Sequence, residues 1–136
     1  MTNTSLAKSY LVKARHRLKV LSVLFDDRAY SDVVREAQEV VELALKGMLR
    51  QVGVEPPRWH DVGQLLEEHC ARFTAPVVEA LPRLIEASGW LRKEREFAFY
   101  GDIDFIPTER YSSEDASRAM EAASLAVQVA AIVIPG

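Results

Sequence analysis

A chain of 136 residues fits one domain, residues 1–136, around a single hydrophobic core that needs neither disulfide nor metal to close. Hydrophobic residues make up 49% and charged residues 27%, which excludes a disordered chain, and the one cysteine, Cys70, excludes an internal disulfide and suits a reducing compartment. A formal net charge of -3 argues against general nucleic-acid binding, which needs basic surface to neutralise phosphate.

The N-terminal Met1-Thr2-Asn3-Thr4-Ser5, followed by Lys8, Lys13 and Arg15, lacks the charged-then-apolar build of a signal peptide. No stretch reaches the roughly 18 to 20 apolar residues of a membrane span. The expectation is a cytoplasmic protein without membrane association.

From Ser5 to about Phe25, the residues Ala7, Leu11, Ala14, Leu18, Leu21 and Phe25 recur at spacings of four and three, one face of a helix. Asp26-Asp27 oppose its continuation, because negative charge at a helix C-terminus works against the dipole. Lys13, Arg15, His16, Arg17 and Lys19 make this helix locally basic. They read as a solvated face; the alternative is an RNA groove made by two such faces across a dimer.

A second helix opens at Ser31 as N-cap and carries the apolar stripe Val34, Ala37, Val41, Ala44, Met48 and Val52. Its polar side holds Arg35, Glu39, Glu42, Lys46 and Arg50, with Arg35–Glu39 and Glu42–Lys46 one turn apart. Gly53 ends it as a left-handed C-terminal residue, and Pro56-Pro57 prevent its resumption. After His60-Asp61 comes a short helix with Val62, Leu65, Leu66 and Cys70 spaced for burial, Asp61 capping its start.

Beyond Thr74-Ala75-Pro76 a further helix runs through Val77, Leu81, Leu84, Ile85 and Leu91 to about Tyr100-Gly101-Asp102. Pro82 either bends it or marks a fresh start, and Gly89 weakens it. Residues 103–111 read as an ordered loop. The last helix starts at Ser112 or Ser113, with Glu114 and Asp115 in its first turn, and passes through Ala119, Met120, Ala123, Leu125, Val127, Ala130 and Ile132. No segment sustains strand alternation, so the fold class is all-α: a five-helix, up-and-down antiparallel bundle.

Familiar catalytic signatures are missing. The six glycines are scattered, with none opening a phosphate loop, and His16, His60 and His69 do not form a zinc motif. No metal and no cofactor are expected. Cys70 beside His69 is not a nucleophile–base pair, because helix neighbours point about 100° apart. The densest chemistry lies in Arg92-Lys93-Glu94-Arg95-Glu96-Phe97-Ala98-Phe99-Tyr100-Gly101-Asp102. An arginine beside aromatics can stack a base and pair with phosphate, or dock the helix end onto the loop that follows.

Three segments together resemble the HEPN domain family. Gln38-Glu39-Val40-Val41-Glu42-Leu43-Ala44-Leu45-Lys46-Gly47 looks like its second helix, and His60-Asp61-Val62 is similar to the His-Asp-Leu entry of its third. Arg95-Glu96-Phe97-Ala98-Phe99-Tyr100-Gly101-Asp102, followed by Ile106-Pro107 and Tyr111-Ser112, resembles a prokaryotic branch with an Arg-Glu-x-Ala-Phe-Tyr-Gly-Asp block.

The resemblance implies a homodimeric helical bundle paired with a minimal nucleotidyltransferase, often in a toxin–antitoxin module. Many members of the family are RNases whose site is an arginine followed four to six residues later by histidine. Here Tyr100 stands five residues after Arg95, and no histidine follows His69. A phenol with a reference pKa near 10 is a poor proton shuttle at neutral pH. The expectation is a nucleotide-associated partner protein without standard nuclease chemistry. Arg92, Arg95, Tyr100 and Asp102 would face a nucleotide or the partner, with Glu42, Lys46 and His60 in support. The alternatives are a metal-independent RNase using Arg95 and Tyr100, and a purely structural helical module.

Overall fold

The computed structural model describes residues 3–56, 58 and 62–136. Its elements are α1 (Asn3–Asp26), α2 (Tyr30–Gln51), α3 (Val62–Glu68), a 3-10 turn (Cys70–Arg72), α4 (Ala75–Phe99), α5 (Pro107–Arg110) and α6 (Ser113–Val133). Five of these helices have seven residues or more. The fold is an all-α bundle, and no strand occurs among the described residues.

α2 is the central rod, packed against α1, α4 and α6. Its buried side runs from Val33 and Val34 through Ala37, Val40, Val41, Ala44 and Leu45 to Met48 and Leu49. That span covers more of the helix circumference than one amphipathic stripe, as three packing neighbours require. α1 buries Ala7, Leu11, Ala14 and Leu21 of the expected face, with Leu18 and Phe25 packed at its edge. Cross-pairs fix the direction of neighbours. Arg17 meets Glu36 and Arg50 meets Asn3, so α1 and α2 are antiparallel. Glu39 meets Arg95, and Phe99 lies under Arg35, so α2 and α4 are antiparallel too.

The helix ends follow local chemistry. α1 stops at Asp26, where the two aspartates fall, and Arg28 takes a left-handed φ of 60° in the turn. α2 begins one residue before Ser31, with Ala29 as its N-cap, so Ser31 is no cap: it lies inside the first turn and is buried. At the other end Gly53, at φ 84°, donates to the Arg50 carbonyl while Val54 donates to Leu49, the paired bonds of a Schellman cap.

α4 runs unbroken through Pro82. A proline inside a helix removes one hydrogen bond and costs about 3 kcal/mol. Pro82 is exposed, as is Val78, whose carbonyl loses its donor, while Val77, Leu81 and Leu84 anchor the same stretch in the core. Cys70 is half-buried against the core cluster, a small apolar filler as its helix-spaced position suggests.

Ser112 caps α6 through a reciprocal pair: its Oγ accepts from the Asp115 N–H at 3.2 Å, and Asp115 Oδ2 accepts from the Ser112 N–H at 2.9 Å. Ala116, Ala119, Ala123, Ala126 and Ala130 then form a fully buried row that lets α6 lie close on its neighbours. With a mean hydropathy of 1.2 over its most apolar 18 residues, α6 is long and apolar enough to cross a membrane, by length and composition alone. The sequence reading had found no such stretch. Small residues raise the hydropathy here, and they are the ones the bundle buries.

Candidate functional site

The polar side of α2 emerges between α1 and the last turns of α4, and charges of both signs interleave along the seam between α2 and α4. Glu39 accepts from Arg35 Nη1, one turn before it, and stands 4.0 Å from Arg95 Nη2 across the seam. One turn later Glu42 accepts from Gln38 Nε2 at 2.7 Å and pairs with Lys46 Nζ at 3.2 Å. Arg35 also reaches Gln38 Oε1 at 3.4 Å and lies 5.6 Å from the centroid of the Phe99 ring. At the α1 edge, Arg17 donates to Glu36 at 2.7 Å, and that bond, with the Glu36 charge, raises its pKa further.

Each residue reaches the seam through helical register. Residues 35, 39, 42 and 46 fall three or four apart on α2, so they share one face. Residues 92, 95 and 99 do the same on α4. Val41 and Leu91 are buried beneath them.

Burial by itself would raise the Glu42 carboxyl. The Gln38 hydrogen bond, the Lys46 charge and hydrogen bond, and the Arg95 charge outweigh it, so the pKa of Glu42 lies below the usual carboxylate value. The carboxylate is therefore fixed as an anion at neutral pH. Beside it, Gln38, Val41, Glu42, Val62, Ser88, Leu91 and Arg92 line a narrow cleft of about 10 Å³, the space of one water molecule.

The seam thus brings together four of the residues expected from sequence: Glu42, Lys46, Arg92 and Arg95. Tyr100 and Asp102 lie beyond the end of α4. Tyr100 is 75% exposed, its ring set edge-on to Phe99 at 4.7 Å. Asp102 builds its own turn, with Oδ1 accepting the Ile103 N–H at 2.7 Å, while its backbone exchanges two 3.0 Å hydrogen bonds with Phe105. His60, Asp61 and Trp59 lie outside the described residues.

The docking reading of the arginine–aromatic block has a place in the structure. The Phe97 side of α4 docks the following loop: Phe97 packs on Phe105 at 5.1 Å, and Phe105 packs on Tyr111 at 5.7 Å. Tyr111 donates to Glu94 at 3.1 Å, and burial first, then the Glu94 charge, pushes the phenol well above its ordinary range. The Phe99 side faces Arg35 instead and leaves Arg95 toward Glu39.

Sequence reasoning missed Arg35, Gln38 and Glu39 as members of the site, having placed Arg35 and Glu39 only on the polar side of the second helix, one turn apart. The signal was available: both continue the Glu42–Lys46 stripe toward the N-terminus at helical spacing.

Chemically, the seam sets Arg35, Lys46, Arg92 and Arg95 around two carboxylates. Guanidinium groups held by neighbouring acids can orient a phosphate or an acidic partner. Among the described residues of the seam there is no imidazole to relay a proton. No group of three or more His, Cys, Asp or Glu that could hold a metal occurs among the described residues.

A sequence model described as the HEPN domain matches residues 7–132, which takes in every element from the first helix to the last. No curated protein matches the chain.

Proposed function

The chain belongs to the HEPN domain family, and on that premise we propose that it is a nucleotide-associated member working as a homodimer beside a minimal nucleotidyltransferase. The setting would be a toxin–antitoxin-like module in a prokaryotic cytoplasm, without standard HEPN nuclease chemistry. The family in general supports a nucleotide-associated, RNase-like or partner role. One observation carries the finer reading. Arg95 is retained in ionic register with Glu39 on α2, while the position five residues on, where the nuclease members carry histidine, holds the exposed phenol of Tyr100.

That arrangement keeps the anion-binding half of the motif and loses the half that moves protons. Arg95 and Arg92 would take the phosphate of a nucleotide or an acidic patch of the partner. Glu42 and Lys46 position them through the charge pattern of the seam. Tyr100 would present its hydroxyl to the partner's nucleotidyl donor: the phenolic oxygen bonds to the α-phosphorus, pyrophosphate leaves, and the phenol's proton passes to solvent or a partner base.

The experiment is co-expression of this chain with a tagged minimal nucleotidyltransferase, followed by affinity purification. Retention of the chain is the expected result; failure to associate at micromolar concentration overturns the partnership. Incubation with bulk RNA tests the other half. The wild-type protein should leave it intact, whereas cleavage abolished by Arg95→Ala would restore the nuclease reading.

A further inference from the structure

A second cationic surface lies at the opposite end of α2, where Tyr10, Lys46, Arg50, Glu55, Pro56 and Arg58 line an open groove of about 550 Å³. Lys46 is shared with the seam through Glu42, so Arg50 and Arg58 are the cations that belong to the groove itself. Among the described residues, Glu55 is the only acid in the lining. In a chain of net charge -3, this is a local reversal of sign.

Arg50 is held in place by neutral groups. Its Nη1 donates to Asn3 Oδ1 at 3.1 Å, and its guanidinium carbon lies 5.8 Å from the Tyr10 ring centroid. Its Nε is buried and has no hydrogen-bond partner among the described residues. An amide oxygen and a ring fix the plane of the fork without cancelling its charge, which leaves an oriented cation facing the groove.

The fold is built to keep Tyr10 there. A Cβ on Gly47 would meet Ile134 Cδ1 at 3.1 Å, Tyr10 Cβ at 3.3 Å and the Ala7 carbonyl at 3.4 Å, so the missing side chain sets the close approach of α1 to α2.

We propose that this groove is an anion site separate from the α2–α4 seam, and that it takes the terminal phosphoryl group of a nucleotide. Two arginine forks match a terminal phosphoryl group, which carries close to two negative charges at neutral pH, better than the single charge of a carboxylate or a backbone phosphodiester. The groove is also large enough to admit more of the ligand than its phosphate.

The test is a titration of ¹⁵N-labelled protein with sodium pyrophosphate and with ADP, followed by amide shifts. Both should bind, with shifts centred on α2 from Lys46 to Gln51, on the following loop and around Tyr10. Arg58→Ala and Arg50→Ala should each weaken binding about tenfold, the loss expected for one charge-assisted hydrogen bond. Arg50→Ala also removes the Asn3 and Tyr10 contacts; Arg58 is exposed, so its variant keeps the test valid if the other fails to fold.

Arg95→Ala should leave this binding unchanged, which separates the groove from the seam. Absence of shifts at millimolar pyrophosphate and ADP overturns the site. So do shifts centred on Arg35 and Arg95, or affinities indifferent to both Arg50→Ala and Arg58→Ala. Binding of oligouridylate but of neither small probe overturns the terminal-phosphoryl assignment.

Discussion

Nη2 of Arg95 on α4 stands 4.0 Å from Oε1 of Glu39 on α2, across the seam that joins the two helices. Both side chains keep contact with water, 47% and 28% exposed, and the distance is at the long limit for an ion pair. Such a pair contributes about 0–1 kcal/mol to stability. Arg95 therefore holds little of the fold together through this pair.

Arg95→Ala should accordingly change the melting temperature by no more than about 5 °C while it abolishes retention by the nucleotidyltransferase. Thermal denaturation by circular dichroism and a pull-down on the same preparation decide the matter. A large drop in stability with the partner still bound would reassign Arg95 to the scaffold.

Tyr100 protrudes at 75% exposure just beyond the end of α4, its ring against that of Phe99. After co-expression with the partner, the peptide carrying Tyr100 should gain the mass of a nucleotidyl group, and the Tyr100→Phe protein should not. An unmodified peptide from a co-expression in which the complex does form ends the acceptor role.

Gly101 makes the turn after α4 possible. It sits at φ 69°, and a Cβ there would come within 2.3 Å of the Phe105 carbonyl oxygen and 2.6 Å of Pro107 Cδ. Gly101→Ala should cost about 2 kcal/mol, or roughly 8 °C in melting temperature. It should also loosen the turn bearing Ile103 without disturbing α1. Hydrogen exchange at the Asp102 and Phe105 amides reads the local effect; unchanged protection there would show that the turn tolerates a side chain.

Glu42 gives the seam a pH dependence. Its folded pKa is lowered, with burial opposed and outweighed by Gln38, Lys46 and Arg95. Its contribution to stability is thus complete above the unfolded carboxylate pKa and lost as pH falls through the folded value. Glu42→Gln should be less stable than wild type at neutral pH, and the difference should shrink as the solution is acidified below the usual carboxylate range. Urea denaturation at a series of pH values measures the gap. A gap that stays constant, or widens in acid, would contradict the assignment.

The rods were legible because their signals are local. The three-and-four spacing of Ala7, Leu11, Ala14 and Leu21, the Asp26-Asp27 stop, the Gly53 cap and the Ser112–Asp115 pair each act within one or two turns of chain. The start of α2 was misread at Ser31, since a serine that caps in isolation can be buried inside the first turn by tertiary packing. The continuity of α4 through Pro82 was left open for a related reason: helix breaking depends on which side of the rod the proline falls, and only burial reveals that side.

The candidate site divides along the same line. Composition, the stripe of charges on α2 and the block from Arg92 to Asp102 determined which residue types were available, with Tyr100 five residues after Arg95 and no histidine beyond His69. Which of them meet was settled by helix packing. Arg95 comes opposite Glu39, some 56 positions away in the chain, because antiparallel contact sets the two residues across the seam, and Arg92 lines a cleft with Gln38 and Glu42. Tyr100 and Asp102, one turn further on, pass the end of that contact and face outward. Periodicity gives each helix its faces, but the rotation of one rod against another is fixed only by side-chain fit in the shared core.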